Sequence, residues 1–358
     1  MIAVTRRLAT CLALLGLVLL SAPLASARTI TDSAGRSVTI PDKVARVFAA
    51  GPPASVLLYA LAPQDMIGWV KAPSDAEKPF LLPAVRDLPE LGRLTGRGDT
   101  LNLEVLLKAK PDLIIDFGTI NATYKSLADR VQSQTGIPYL LIDGSFADTP
   151  KALRLLANAL GLEKRGEDLA RAAEQIFGEV DAVLAKVPAA SRPKVYLARG
   201  PEGLETGSKG SINTEIIERV GGINVAQGTI RRGGLIDASP EQVLAWAPDT
   251  IITLDPRFAK ALPGMAAWAT VPAVTRHRVY LAPSLPFGFI DAPPSLNRLI
   301  GLVWLLHEFY PTQAPGDLKT QVKDFFHLFY QVDLSDADLA QVLSGQVLSG
   351  RHLAKQHQ

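Results

Sequence analysis

The stretch GLEKRGEDLARAAEQIFGEVDAVLAKV, residues 161–187, decides how the rest of the chain is read. Leu162, Leu169, Ala173, Ile176, Phe177, Val180, Val183, Leu184 and Val187 recur at helical spacing and lay one apolar stripe along an α-helix. Gly161 ends the helix before it, and Pro188 and Pro193 stop this one. At the usual rise, about 25 residues span roughly 37 Å, the width of a domain. Such a helix is a strut, able to carry the chain from one body to another.

The sequence on either side of the strut repeats. LNLEVLLKAKPDLIIDFG (101–118) precedes it and ASPEQVLAWAPDTIITLDP (238–256) follows it. In each, a glutamate (Glu104, Glu241) opens a short helix, a Pro-Asp pair (Pro111-Asp112, Pro248-Asp249) follows, and an apolar run reads as a buried strand. The match needs no gap. Self-similarity at a long period predicts two related α/β lobes, and a cleft between lobes is a usual ligand site.

Residues 1–27 carry Arg6-Arg7, an apolar run from Leu8 to Leu20 and Ala25-Ser26-Ala27, the pattern of a secretory signal with its cleavage site. The run is too short to span a bilayer. The only cysteine, Cys11, stands early in the apolar run rather than just after it, where a lipid anchor would need it. A soluble exported protein without disulfides is therefore expected. Removing residues 1–27 takes two of the 37 basic residues and leaves 35 against 35 acidic ones. That near-neutral balance argues against nucleic acid and against an electrostatic membrane surface.

Four segments follow from this division: the signal at 1–27, a first lobe at 28–160, the bridging helix at 161–188, and a second lobe at 189–358 with terminal helices. Residues 29–41 alternate about a turn and predict an edge hairpin. A strand at Val47–Ala49, a helix at Ala54–Leu61 and a strand ending at Trp69 predict a parallel α/β unit. Further strands are expected at Leu113–Ile115, Tyr139–Ile142, from Lys194 to Arg199, at Ile251–Leu254 and at Val279–Leu281. A helix is expected from about Ser211 to Gly221 and another from Ser295 to Phe309. Residues 315–348 are expected to fold back on the second lobe.

The chain lacks G-x-S-x-G, H-E-x-x-H and any Cys-His pair, so no catalytic residue is nominated. The loop GPEGLETGSKGS has no adjacent Gly-Lys-Ser/Thr. It serves either as an ordinary strand-to-helix turn or as a set of N–H groups that joins Arg199 around an anion. All five histidines (277, 307, 327, 352, 357) lie in the last third, so a bare metal ion held between lobes lacks its expected ligands. A chelated metal is already coordinated; its carrier needs aromatic faces and arginines instead. Candidates at strand ends are Trp69, Phe117, Phe287 and Phe289, with Arg93, Arg97, Arg199 and Arg232. Core packing is the plainer explanation of any single aromatic; together they point to a pocket.

The segments NLEVLLKAKPDLII, YLARGPEGLETGSKGSINTEIIERVGG with its NVA, SPEQVLAWAPDTII and PPSLNRLIGLVWL carry a resemblance. Over the whole mature chain the protein resembles the periplasmic binding proteins that serve ABC importers of iron-siderophores, haem and cobalamin. The resemblance implies two Rossmann-like α/β lobes with parallel sheets, bridged by a single long helix and closing little over a ligand between them. It also implies that Glu104 and Glu241 dock in arginine pockets of a membrane permease dimer, and that Phe289 fills a pocket position where tryptophan is half expected. The expected ligand is a metal chelate, a ferric siderophore above all, with cobalamin, haem or a nickel or cobalt chelate as rivals. No permanently bound cofactor is expected, and a monomer is the expected state. An exported hydrolase or chelate-modifying enzyme is the alternative from a different class, and a scavenger without a transporter is a third.

Overall fold

The computed structural model describes residues 27–95, 103–228 and 234–344. The signal segment with Cys11, Arg97, Arg232 and the tail with His352 and His357 lie outside the described residues.

The first lobe opens with an antiparallel hairpin, β1 (Ala27–Thr31) and β2 (Ser37–Pro41), as the alternation predicts. Its sheet is three parallel strands in the order β3 (Val47–Ala49), β4 (Leu113–Gly118) and β5 (Tyr139–Asp143). Around it run α1 (Pro52–Leu61), α2 (Leu103–Ala109), α3 (Ala122–Thr135) and α4 (Thr149–Leu160). The strand expected to end at Trp69 is reduced to single parallel bridges, Val47 to Met66 and Trp69 to Glu90. Pro63 opens a 3₁₀ turn just before it, and that turn removes the length a strand would need.

α5 (Glu163–Leu184) is the bridging helix. Gly161 takes the left-handed conformation (φ 68°) that ends α4, as the sequence predicts. α5 turns straight back on α4, and Gly166 permits the contact, since a Cβ there would stand 2.2 Å from that of Ala157. The second lobe then builds β6 (Lys194–Ala198), β7 (Glu205–Gly207), α6 (Glu215–Arg219), β8 (Ile223–Asn224), β9 (Leu235–Asp237), α7 (Pro240–Trp246), β10 (Thr250–Thr253), α8 (Pro256–Ala261), α9 (Pro272–Thr275) and β11 (Val279–Leu281). Its parallel sheet has the order β11-β10-β6-β8, with β7 and β9 as a separate antiparallel pair. α10 (Arg298–Phe309), α11 (Leu318–Phe325) and α12 (Asp336–Val342) close the chain.

The internal repeat has a structural cause. Lys110 and Ala247, at matching places, both take φ 47° before their Pro-Asp pair. Asp112 N–H donates to Arg46 O at 2.8 Å and Asp249 N–H to Lys194 O at 3.0 Å. Their carboxylates accept from the N–H groups of Arg46 and Lys194 in return. Each aspartate thus fastens the start of one strand to the start of its neighbour.

Strand alternation sorts the buried side chains into three clusters. Phe48, Ile114, Tyr139 and Leu141 face an outer core with Leu106 of α2 and Val131 of α3. Tyr196, Ile251 and Val279 face a second outer core with Val243 of α7. The other face of both sheets, with Val47, Ile115, Ile142, Val195, Leu197 and Ile252, joins α1, α4, α5 and α10 in one continuous core. The terminal segment belongs to that core as well: α11 folds back on α10 of the second lobe, as expected, with His307 Nε2 and Gln321 Oε1 2.9 Å apart, and the residues after it also reach the first lobe. Tyr59 OH of α1 donates to Tyr330 O at 2.9 Å, and Arg165 Nη2 of α5 bonds both Ala60 O and Leu328 O. The apolar face of 315–348 is fixed by its sequence, but its partner is chosen by these long-range bonds.

Arg298 lies wholly buried where the lobes meet. Its guanidinium donates to Gly144 O and Ile212 O, each at 2.9 Å, pairs with Glu215 at 3.2 Å and stands 4.5 Å over the Phe146 ring. Glu215 also accepts from Phe146 N–H at 2.8 Å. Removing one partner of a buried ion pair costs about 3–5 kcal/mol. Arg298→Ala is expected to lower the unfolding free energy by that amount in a urea titration followed by circular dichroism, and Glu215→Gln, which keeps an acceptor, by less.

Candidate functional site

Between the lobes lies a cavity of about 530 Å³. From the first lobe it takes the carboxyl end of β4, with Asp116 and Phe117, together with Arg93 and Tyr124. From the second it takes Arg199, the turn Ser211–Asn213 and Asp291. A second cavity of about 490 Å³ adjoins it on the first-lobe side, lined by Trp69, Lys71, Glu77, Glu90 and Phe287. Pro52, Arg93, Ala292 and Pro293 line both and form the partition. Ligands of parallel α/β sheets sit beyond the strands' carboxyl ends, and β4 delivers its last residues into this space.

The aromatic candidates separate. Trp69 and Phe287 stand together, ring centroids 6.2 Å apart, on the wall of the second cavity, with the Trp69 Nε1–H held by Val85 O at 2.8 Å. Phe117 lines the first cavity while its side chain is almost entirely in the shared core. Phe289 does not reach either cavity: it is fully buried, and its carbonyl packs so closely on α10 that only Gly301 fits opposite, a Cβ there falling 1.8 Å from the oxygen. The turn closed by Gly288 N–H to Ala292 O sends Phe287 to the cleft and Phe289 inward.

Arg93 stands at the partition, where it can meet a ligand in either compartment. Arg199 lines the first cavity, but its guanidinium is held by two carboxylates, Glu205 at 3.2 Å and Asp291. Its charge is therefore largely answered within the protein. In the loop between β7 and α6 several backbone donors are used within the protein: Gly210 N–H goes to Glu218 of α6, Ser211 N–H to Ser208 O, and Asn213 N–H to the Ser211 hydroxyl. The turn alternative fits this loop better than an anion nest.

Two carboxylates were not singled out by sequence. Asp116 is buried at the floor of the first cavity and accepts from Thr95 Oγ1 at 3.1 Å and Tyr139 OH at 3.2 Å. Burial pushes its carboxyl up from 3.8 to about 6, against the pull of those two hydrogen bonds. Asp291 is buried as well, and its Oδ1 has no hydrogen-bond partner among the described residues. The signal for Asp116 was present, an acid ending the apolar run Leu113–Ile115; nothing in the sequence paired Asp291 with Arg199.

Glu104 and Glu241 line neither cavity and stand exposed in the first turns of α2 and α7. The Ser239 hydroxyl beside Glu241 holds its carboxyl below the usual range. A capping box of Ser239 and Gln242 fixes the start of α7. Among the described residues no group of three or more His, Cys, Asp or Glu could hold a metal ion, and no helix is long and apolar enough to cross a membrane.

Two parallel α/β bodies, one connecting helix and a cleft at the strand ends define a ligand-capturing protein. The chain belongs to the periplasmic binding protein family, whose pattern it matches over residues 71–285. It is 27% identical over 342 residues to the molybdate-binding protein MolA of Haemophilus influenzae, covering 88% of this chain and 94% of that one. A solute binding protein of an ABC transporter from Sulfurospirillum deleyianum superposes with a TM-score of 0.81 at 31% identity, over 88% of this chain and 99% of the other. The vitamin B12-binding protein of Salmonella choleraesuis is 31% identical over 153 residues, 42% of this chain and 54% of its own. These relatives are substrate-binding components of transport systems rather than enzymes, and this chain is an ABC substrate-binding protein like them.

Folded Asp116 keeps its proton to higher pH than the unfolded chain does, so its ionisation lowers stability as pH rises from about 4 to about 6 and by a constant amount above that. Asp116→Asn is expected to raise Tm on the order of 5 °C at pH 7.5, a gain that vanishes by pH 4, as read by scanning calorimetry.

Proposed function

We propose that the protein captures a metal chelate, a ferric siderophore above all, in the interlobe cleft and delivers it to an ABC permease dimer. Residues 1–27 act in this reading as the export signal. The observation that carries it is the pair of adjoining cavities, about 530 and 490 Å³, with Arg93 at their junction and the Trp69–Phe287 pair on the wall of the second. Pockets for small organic ligands are of this size and carry a few polar groups in an apolar lining. A four-oxygen anion would fill a small part of one compartment. An organic chelate can set its charged metal centre near Arg93 and an apolar arm against the aromatic pair. The likeness to a vitamin B12-binding protein supports a ligand of that bulk.

A second reading, capture of a bare oxyanion such as molybdate, is favoured by the likeness to MolA over 88% of the chain. The buried carboxylate of Asp116 opposes it, since it repels a compact anion in the first cavity, whereas Asp291 is paired with Arg199.

Tryptophan fluorescence titration separates the two, because Trp69 lies on a cavity wall. Saturable quenching is expected with a ferric catecholate, hydroxamate or citrate, and none with the iron-free chelators. Arg93→Ala is expected to weaken that binding about 10- to 100-fold, the value of a charge-assisted hydrogen bond. Binding of molybdate alone would establish the second reading, and silence across ferric complexes, haemin, cobalamin, nickel-histidine and molybdate would overturn both.

A further inference from the structure

Among the described residues only four large apolar side chains stand exposed: Val105 at 38%, Leu107 at 49%, Ile223 at 47% and Leu244 at 42%. Three of the four lie on α2 and α7, the two short helices with Glu104 and Glu241 in their first turns. Leu107 follows Glu104 by the same interval at which Leu244 follows Glu241. Between them, Leu106 and Val243 turn inward to the two outer cores. Each helix is thus pinned by one buried residue and presents a carboxylate and a leucine to solvent, adjacent on its surface because residues three apart share a helix face. The second lobe repeats the pair that the first lobe carries.

One exposed leucine would need no explanation, but here it recurs at the same place in both lobes, beside a carboxylate and next to a buried residue that already anchors each helix. We infer that Leu107 and Leu244 are apolar anchors that seat in two equivalent recesses of the permease dimer, beside the cationic pockets that receive Glu104 and Glu241. This rests on the proposed delivery to a permease dimer, with Glu104 and Glu241 as its docking carboxylates, and adds a contact that charge alone does not supply. Two copies of one carboxylate–leucine pair match a partner that offers the same socket twice, as a homodimer does. The division of labour follows from physics: the exposed carboxylates steer the encounter and weaken with salt, whereas the leucines lose water on docking and slow release.

The test is surface plasmon resonance of the full-length mature protein on its own permease reconstituted in nanodiscs. Leu107→Ser and Leu244→Ser are each expected to weaken binding about tenfold, mainly through faster dissociation, and the double variant about a hundredfold. Leu107→Met should bind nearly as the wild type does, and all variants should melt as the wild type does. Glu104→Arg with Glu241→Arg, run in parallel, should abolish binding. If the serine variants bind normally while the charge reversals do not, the leucine anchors are overturned and docking by the glutamates stands. If neither set changes binding, the docking reading itself fails. Self-association of the wild type in sedimentation velocity that the serine variants abolish would assign the patches to a second copy of this chain and overturn the permease assignment.

Discussion

The buried guanidinium of Arg298 is the point on which the two lobes are set relative to each other. A charge taken from water needs every donor answered, and the answers come from both sides: Gly144 O and the Phe146 ring from the first lobe, Ile212 O and Glu215 from the second. Burial pulls the Arg298 pKa down to about 10, still far above neutrality, so the group stays charged. Gly144 and Phe146 follow directly on β5, while Ile212 belongs to the turn that walls the cleft. Relative movement of the lobes at this point would stretch bonds to a fully buried guanidinium. Arg298 is therefore one constraint on the width of the cleft.

The continuous core gives the same constraint a wider base. In a protein with two independent cores, the connecting helix would be a hinge. Here one face of each sheet, the bridging helix, α1, α4 and the terminal helices pack as one cluster, and only the outer faces have private cores. Opening the lobes widely would expose apolar surface at roughly 25 cal/mol for each Å². The terminal segment adds to this by joining α10 to α1 and α5, where Tyr59 and Arg165 bind the backbone of Tyr330 and Leu328. The shared core and the terminal segment act in the same direction as a stiff connecting helix, against wide opening.

What the sequence disclosed was whatever depends on local pattern. Gly161, the repeated Pro-Asp turns and the apolar runs fixed the strut, the parallel strands and the two related lobes, because a left-handed cap, a strand-to-strand fastening and a two-sided burial each need particular residues at particular places. The site was less legible, since it is made by pairs far apart in the chain. Arg199 read as a cation open to a ligand until Asp291 was found against it. Phe289 and Phe287 are two residues apart and equally aromatic, yet a turn sends one to the cleft and the other to the core. The terminal helices showed an apolar face without showing what it covers. A lone carboxylate such as Asp116 is unremarked in a sequence until burial removes its water.

The repeat also separates two kinds of recognition. Where the lobes agree, they agree in the strand-fastening aspartates, in the left-handed turns at Lys110 and Ala247, and in the short helices with Glu104 and Glu241 on the outside. Where β4 and β10 run into the interior they part company: Asp116 stands opposite Thr253 in the alignment, and Phe117 opposite Leu254. Duplicate lobes that stayed alike in the cleft could make only a symmetric cavity. Duplicate lobes that drifted apart on the outside would lose any two-fold match to a partner. The observed division, alike outside and unlike inside, leaves the protein a repeated outer surface and an asymmetric cleft.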